Sequence, residues 1–342
     1  MPESEIEVRG GQPPRLLDRL RLAIRARHLS ERTEEACVYW TRKFILFHGK
    51  RHPDQMGPSE IKLFVTYLAL NRKVGPSTQN QALGALLFLY RRVLGRDLDA
   101  PLDLIRAKRP FLLPVVLSPT EIAAILRHLD GPAYLAVALM YASGLRVLEC
   151  LRLRVQDIDF ESGEIVVRQG KGRKDRRTVL ARELVPTLRE CLARLQRQHT
   201  EDLCLGLGRV HLPEAVSRRH PGAAIEWKWQ WIFPGAHPHA PNGDPRGRRP
   251  LHKSGIQRAF NRALKQAGVV KEASCHSLRH SFATHLADTG CDIRTIQELL
   301  GHKDVGTTMI YTRRRSHGER LPSPLDGISV GSLNFRVRPY VR

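Results

Sequence analysis

Cys275-His276-Ser277-Leu278-Arg279-His280-Ser281-Phe282-Ala283-Thr284-His285-Leu286 is the stretch on which the reading of this chain turns. Leu278, Phe282 and Leu286 recur every four residues, which predicts a helix over about 277–288 with one buried stripe. Arg279 falls off that stripe, near the helix start. Unpaired N–H groups at a helix N-terminus already attract an anion. His276 and Arg279 at the same end make that start a phosphate cradle. Downstream, Ile293, Ile296, Leu299 and Leu300 mark another buried stripe over about 292–300, and Gly301 is placed to end it in a left-handed cap. His302 then follows just beyond the helix end. Tyr311 comes next, on a short helix expected over about 305–312 that Thr307 and Thr308 can cap.

Upstream, Ser143-Gly144-Leu145-Arg146-Val147-Leu148-Glu149 supplies a second arginine, and Glu149, three residues on, is positioned to orient it. Arginine forks match phosphate oxygens, and a tyrosine hydroxyl can attack phosphorus. The chain's formal net charge of +22 points the same way, to a polyanionic partner. Nucleic acid is therefore the expected substrate.

The 342 residues suggest two domains, because single cores stop growing at about 250–300 residues. Residues 15–94 read as helical throughout. Leu16, Leu17, Leu20 and Ile24 form one stripe, Ser30 caps a second helix, Pro58-Ser59-Glu60 starts a third, and Ser77 opens a fourth that reaches Leu94-Gly95. Pro101, Pro110 and Pro114, with Arg106, Lys108 and Arg109, mark a basic linker. Ser118-Pro119-Thr120-Glu121 begins the second domain, with helices at about 119–129, 133–143 and 147–153. Residues 164–168 and 177–180 have strand character, so Gly170-Lys171-Gly172-Arg173-Lys174-Asp175 is the turn of a β-hairpin. A helix follows over about 182–198, and another over about 253–267. The fold class is mainly α with a small β-sheet. The expected division is 1–100 for the helical domain, 101–118 for the linker, 119–325 for the second domain and 326–342 for a tail.

Six cysteines are scattered with no Cys-x-x-Cys pair, so neither a zinc ribbon nor a disulfide framework is expected. Asp157-x-Asp159 has too few carboxylates around it for a two-metal site. No metal and no other cofactor is expected. The longest apolar run, 133–145, is too short to cross a bilayer, and the acidic start Met1-Pro2-Glu3-Ser4-Glu5 lacks a signal core. A cytoplasmic location is expected.

These motifs together resemble the tyrosine recombinases. His276 to Leu286 resembles that family's second signature box and Ser143 to Glu149 its first, with Leu299-Leu300-Gly301-His302 and Thr307-Thr308-Met309-Ile310-Tyr311-Thr312 completing the pattern. The resemblance implies a helical core-binding domain followed by a catalytic domain. It implies Tyr311 as nucleophile, Arg146 and Arg279 on the scissile phosphate, His276 and His302 assisting, and Lys171 protonating the leaving 5′ oxygen. By residue type alone, Arg173 and Lys174 on the same turn are rivals for that last role; Lys174 is read as a DNA contact.

Within that family the chain looks most like an integron integrase, because of an extra segment at about 203–235 that includes Glu226-Trp227-Lys228-Trp229-Gln230-Trp231. The alternating tryptophans suggest a strand with an aromatic face. That face either packs on the core or stacks on an unpaired base. The resemblance implies that Trp229, His237 and His239 meet extrahelical bases of folded single-stranded cassette sites, with Arg218, Arg219 and Arg248 on the backbone. It also implies a homo-tetramer on DNA that inserts and excises gene cassettes at duplex and folded single-stranded attachment sites. The alternative is another tyrosine recombinase, a chromosome-dimer resolvase or a phage or transposon integrase, acting on duplex sites.

Overall fold

The computed structural model describes residues 14–98, 113–168, 175–235, 247–301 and 323–327. The chain divides into two compact units between Leu112 and Leu113.

The first unit is four helices: α1 (Leu16–Ala26), α2 (Glu31–Phe47), α3 (Pro58–Leu70) and α4 (Pro76–Arg92). Ser30 caps α2 by accepting a hydrogen bond from the Thr33 N–H at 3.2 Å. Both α3 and α4 begin on a proline, whose missing N–H costs nothing at a first turn. The fourth helix therefore starts one residue before Ser77 and ends at Arg92, short of Gly95. Leu20, Ile24, Phe44, Phe64, Leu86 and Leu89 fill the core. Tyr90 is wholly buried among them, and its hydroxyl donates to the Pro53 carbonyl at 3.0 Å. Arg42, Lys43, Lys62, Arg72 and Lys73 remain exposed.

The second unit opens with α5 (Pro119–Arg127), where Ser118 and Glu121 form a capping box. Next come α6 (Gly131–Ala142) and α7 (Val147–Leu151). Residues 134–142 of α6 are all buried, which makes it the central helix, packed against α10 (Lys253–Gln266) and α11 (Cys275–Asp288). Strands β1 (Ile158–Asp159), β2 (Glu164–Val167) and β3 (Arg176–Val179) form one antiparallel sheet in that order, with Ile165 opposite Thr178 and Val167 opposite Arg176. Thr178 Oγ1 donates to the Ser143 carbonyl at 2.8 Å, tying the sheet to the turn between α6 and α7.

Helix α8 (Val185–Cys204) runs six residues past the expected end at Gln198. Its added turns are held by the inserted segment, where His199 Nε2 bonds the Ile225 carbonyl at 2.9 Å, and by Arg248 beyond that segment, which donates to the Asp202 carboxylate. The inserted segment contains α9 (Glu214–Arg219) and two 3₁₀ turns, one of them Trp227–Trp229. Trp227 and Trp229 thus lie on a tight turn and not on the expected strand, while Trp231 forms an isolated antiparallel bridge with Arg154. Helix α12 (Ile293–Leu300) ends at Gly301 in the left-handed region, φ 63°. Residues 323–327 return to the same core: Leu325 is fully buried, Ser323 Oγ donates to the Ala142 carbonyl at 2.7 Å, and Asp326 accepts from the Arg182 N–H at 2.9 Å.

Candidate active site

Helix α11 starts at Cys275, two residues before the expected start, because Ser274 Oγ accepts from the His276 N–H at 3.2 Å. That start sets His276 at the solvent surface and turns Arg279 inward, where only 2% of it is exposed. The burial of the helix is wider than the expected stripe: Ser277, Arg279, Ser281 and Ala283 are buried along with Leu278, Phe282 and Leu286. The Arg279 guanidinium donates to the Gly144 carbonyl at 2.7 Å and to the Leu300 carbonyl.

Gly144 makes this possible. Its φ is +61°, and a Cβ there would fall 2.5 Å from the Phe282 ring. Only glycine allows that turn so close to α11. The same turn delivers Arg146, whose Nη1 donates to Glu149 Oε1 at 2.6 Å while its own N–H donates to Oε2 at 2.9 Å. Arg279 Nη1 lies 3.8 Å from Glu149 Oε2. Glu149 therefore sits between the two arginines predicted to hold a phosphate.

A third arginine, missed in the sequence reading, completes the cluster. Arg176 on β3 grips both oxygens of Glu149, at 3.1 and 2.7 Å, and its Nε donates to the Leu299 carbonyl at 2.8 Å. Burial pushes the Glu149 carboxyl up, but the Arg176 fork and the Arg146 donors outweigh it and hold the carboxyl at about 2. Three guanidiniums around one carboxylate leave the cluster positive, as an anion site requires.

His276 is held below its ordinary range by the surrounding protein and then by the charges of Arg279 and Arg146. His280 meets it edge to face, with ring centroids 4.7 Å apart. Burial, then His276 and Arg279, pull His280 down to about 4. Both rings are therefore neutral near pH 7, and His276 can donate or accept a hydrogen bond at the surface of the cluster.

Lys171, Lys174, His237, His239, His302 and Tyr311 lie outside the described residues. In the inserted segment, Trp231 is buried and Trp229 half-buried, and both lie on Arg154, whose guanidinium carbon is 3.6 Å from the Trp231 ring centroid and 5.2 Å from that of Trp229. Arg154 also donates to the carbonyls of Trp229 and His211. Arg248 forms an ion pair with Asp202 at 2.8 Å, with 16% and 7% of the side chains exposed. Arg218 and Arg219 are exposed, Arg218 beside Glu214 on its own helix. Asp157 accepts from the Arg154 N–H and from Arg168, and Asp159 from the N–H groups of Glu161 and Ser162. Among the described residues no cluster of metal-ligating side chains occurs, and no helix is long and apolar enough to cross a membrane.

Comparison with known proteins bears on this geometry. Among solved structures, the XerH site-specific recombinase bound to its difH substrate aligns with a TM-score of 0.60 at 20% identity, over 89% of this chain and 83% of that one. The Tn1549 transposon integrase, in complex with transposon right end DNA, aligns with a TM-score of 0.59 at 18% identity, over 88% and 95%. These likenesses establish the fold. In sequence, the phage integrase family pattern matches residues 116–317, and the phage integrase N-terminal SAM-like domain matches residues 16–100. An integrase/recombinase of Escherichia coli is 47% identical over 92% of this chain and 94% of its own length. Tyrosine recombinase XerC of Lactobacillus leichmannii is 30% identical over 76% and 79%. The chain belongs to the phage integrase family, the tyrosine recombinases, and is a site-specific recombinase enzyme.

Proposed function

We propose that this enzyme cleaves and rejoins DNA through a 3′-phosphotyrosine intermediate, and that it inserts and excises integron gene cassettes as a tetramer on DNA. The observation that carries the chemistry is the Glu149 cluster, which holds Arg146 and Arg279 side by side with a surplus of positive charge. Tyr311 Oη attacks the scissile phosphorus, and the 5′ oxygen leaves with a proton from Lys171. A free phenol ionises near pH 10, so the arginines must stabilise the charge that builds up during attack. His276 and His302 hydrogen-bond the phosphate oxygens. The new phosphodiester is reversed by a 5′ hydroxyl, so rejoining needs no external energy source.

The cassette reading rests on the extra segment at 203–235 and on the exposed arginines 218 and 219. A specific observation favours the second reading, a recombinase of duplex sites: Trp231 and Trp229 are engaged with Arg154, which leaves fewer free rings for an unpaired base.

Two measurements test these readings. The first is incubation with nicked attachment-site DNA followed by denaturing electrophoresis; a covalent adduct is expected from the wild type and none from Tyr311→Phe. The second compares excision from folded single-stranded and duplex donors after removal of residues 212–233. Selective loss on the folded donor supports the cassette reading, and equal activity on both supports the duplex reading.

A further inference from the structure

Arg176 has no part in the chemistry above, yet it donates three hydrogen bonds within the cluster, two to Glu149 and one to the Leu299 carbonyl. We propose that Arg176 is a positioning residue for strand cleavage: by gripping both oxygens of Glu149 and the Leu299 carbonyl, it fixes where Arg146 and Arg279 present their charge. The proposal rests on the phosphotyrosine reading.

Strand alternation sorts two adjacent arginines. Arg177 points outward, 66% exposed, onto Glu164, while Arg176 points inward with 9% exposed. The end of α12 leaves room for it: a Cβ on Gly301 would lie 2.8 Å from Arg176 Cδ. Its planar fork matches the carboxylate with two bonds, a geometry lysine cannot reproduce. The charge count gives the consequence. With Arg176 engaged on Glu149, that carboxylate is already balanced, and the charges of Arg146 and Arg279 remain available for an incoming phosphate. Without Arg176, Glu149 binds Arg146 more tightly and draws Arg279, now 3.8 Å away, onto itself. Chain continuity extends the effect, since Arg176 follows Lys171 by five residues and Leu299 precedes His302 by three. One side chain thus ties β3, which follows Lys171 in the chain, to the end of α12, which precedes His302.

The groups facing Glu149 are Arg146 at the N-cap of α7, Cys150 on α7, Arg176 on β3, and Arg279 and His276 on α11. Removing Arg176 takes away the largest influence that keeps Glu149 ionised, and burial then raises its carboxyl toward neutrality.

The test measures single-turnover adduct formation on nicked attachment-site DNA from pH 5 to 9. It uses the full chain as wild type, Arg176→Ala, Arg176→Gln, Arg176→Lys, Glu149→Gln and the Arg176→Ala/Glu149→Gln pair, with gel-shift affinity and thermal melting alongside. Expected for Arg176→Ala is a rate loss of about 30-fold or more at pH 7.5, with DNA affinity within about threefold of wild type. The variant should gain an acid limb absent from wild type and from the double variant, and Arg176→Lys should recover part of the rate. In the Glu149→Gln background the alanine change should cost less than about threefold, because the two residues act as one unit. A wild-type rate in Arg176→Ala, fully multiplicative losses in the pair, or lower melting with an unchanged pH profile would each overturn the proposal. If the alanine variant does not fold, the glutamine and lysine variants are judged by the same criteria. A wild type that forms no adduct overturns the phosphotyrosine reading itself, and this proposal with it. Normal wild-type cleavage with indifferent Arg176 variants removes this proposal alone.

Discussion

Two places in the catalytic unit bury an arginine that donates to a pair of backbone carbonyls, and they use it in opposite ways. Arg279 donates to Gly144 and Leu300 beside a carboxylate shared by three guanidiniums. Arg154 donates to Trp229 and His211, lies on two indole rings and has Asp157 and Arg168 nearby. In the first place the surrounding charge is in surplus and opens toward the exposed His276. In the second the guanidinium serves as a polar core for the inserted segment, and burial pulls it down to about 10. A buried arginine alone therefore says little about function. The balance of charge around it, and whether that balance reaches the surface, decides the matter.

The contrast can be broken by mutation. Arg279→Ala should lower adduct formation by about 10²–10³-fold, the usual cost of one lost donor to a developing anion. Arg154→Ala should leave cleavage of duplex DNA nearly intact at low temperature and act on stability, costing about 3–5 kcal/mol as a broken buried charge site. Calorimetry and single-turnover cleavage on both variants check the pair; equal kinetic losses would erase the distinction. Trp231→Ala should cost a similar amount, about 3–5 kcal/mol, because it empties the small core of Val210, Leu212, Ala223 and Ala224. Gly144→Ala should cost about 1–3 kcal/mol, since the turn needs positive φ and the new methyl meets Phe282; cleavage should fall with it because the Gly144 carbonyl holds Arg279.

The smallest effect is a pH dependence. His280 has a folded value near 4, below the ordinary histidine value of 6.5, so protonation favours the unfolded chain. Its contribution is complete above pH 6.5 and is lost as pH falls toward 4. Glu149, held at about 2 against an ordinary 4.5, contributes above 4.5 and is lost only below it. Melting temperature should therefore fall from pH 6.5 downward in the wild type, and less steeply in His280→Gln, where His276 and His285 are still held below the ordinary histidine value.

Much of the site was legible because its signals are local. Helical spacing placed α11, Ser30 and Ser118 announced their helices, and Gly301 takes the left-handed cap that its position predicted. Glu149 orients Arg146 from three residues away, as the motif suggested. Arg176 was not seen because its partners lie 27 and 123 residues distant in sequence. The readable clue was two adjacent arginines at a strand start, where alternation must turn one of them inward. The tryptophan turn misled for the opposite reason: alternation imitates a strand, while the contacts with Arg154 and the end of α8 that fold it into a tight turn come from elsewhere in the chain.

The central claim is that the positive surplus around Glu149 serves a phosphate attacked by Tyr311. The most direct measurement is mass spectrometry of the trapped protein–DNA adduct after nuclease and protease digestion. The account predicts a nucleotide joined through its 3′-phosphate to the peptide carrying Tyr311. A nucleotide found on any other residue, or an adduct that persists unchanged in Tyr311→Phe, would contradict it.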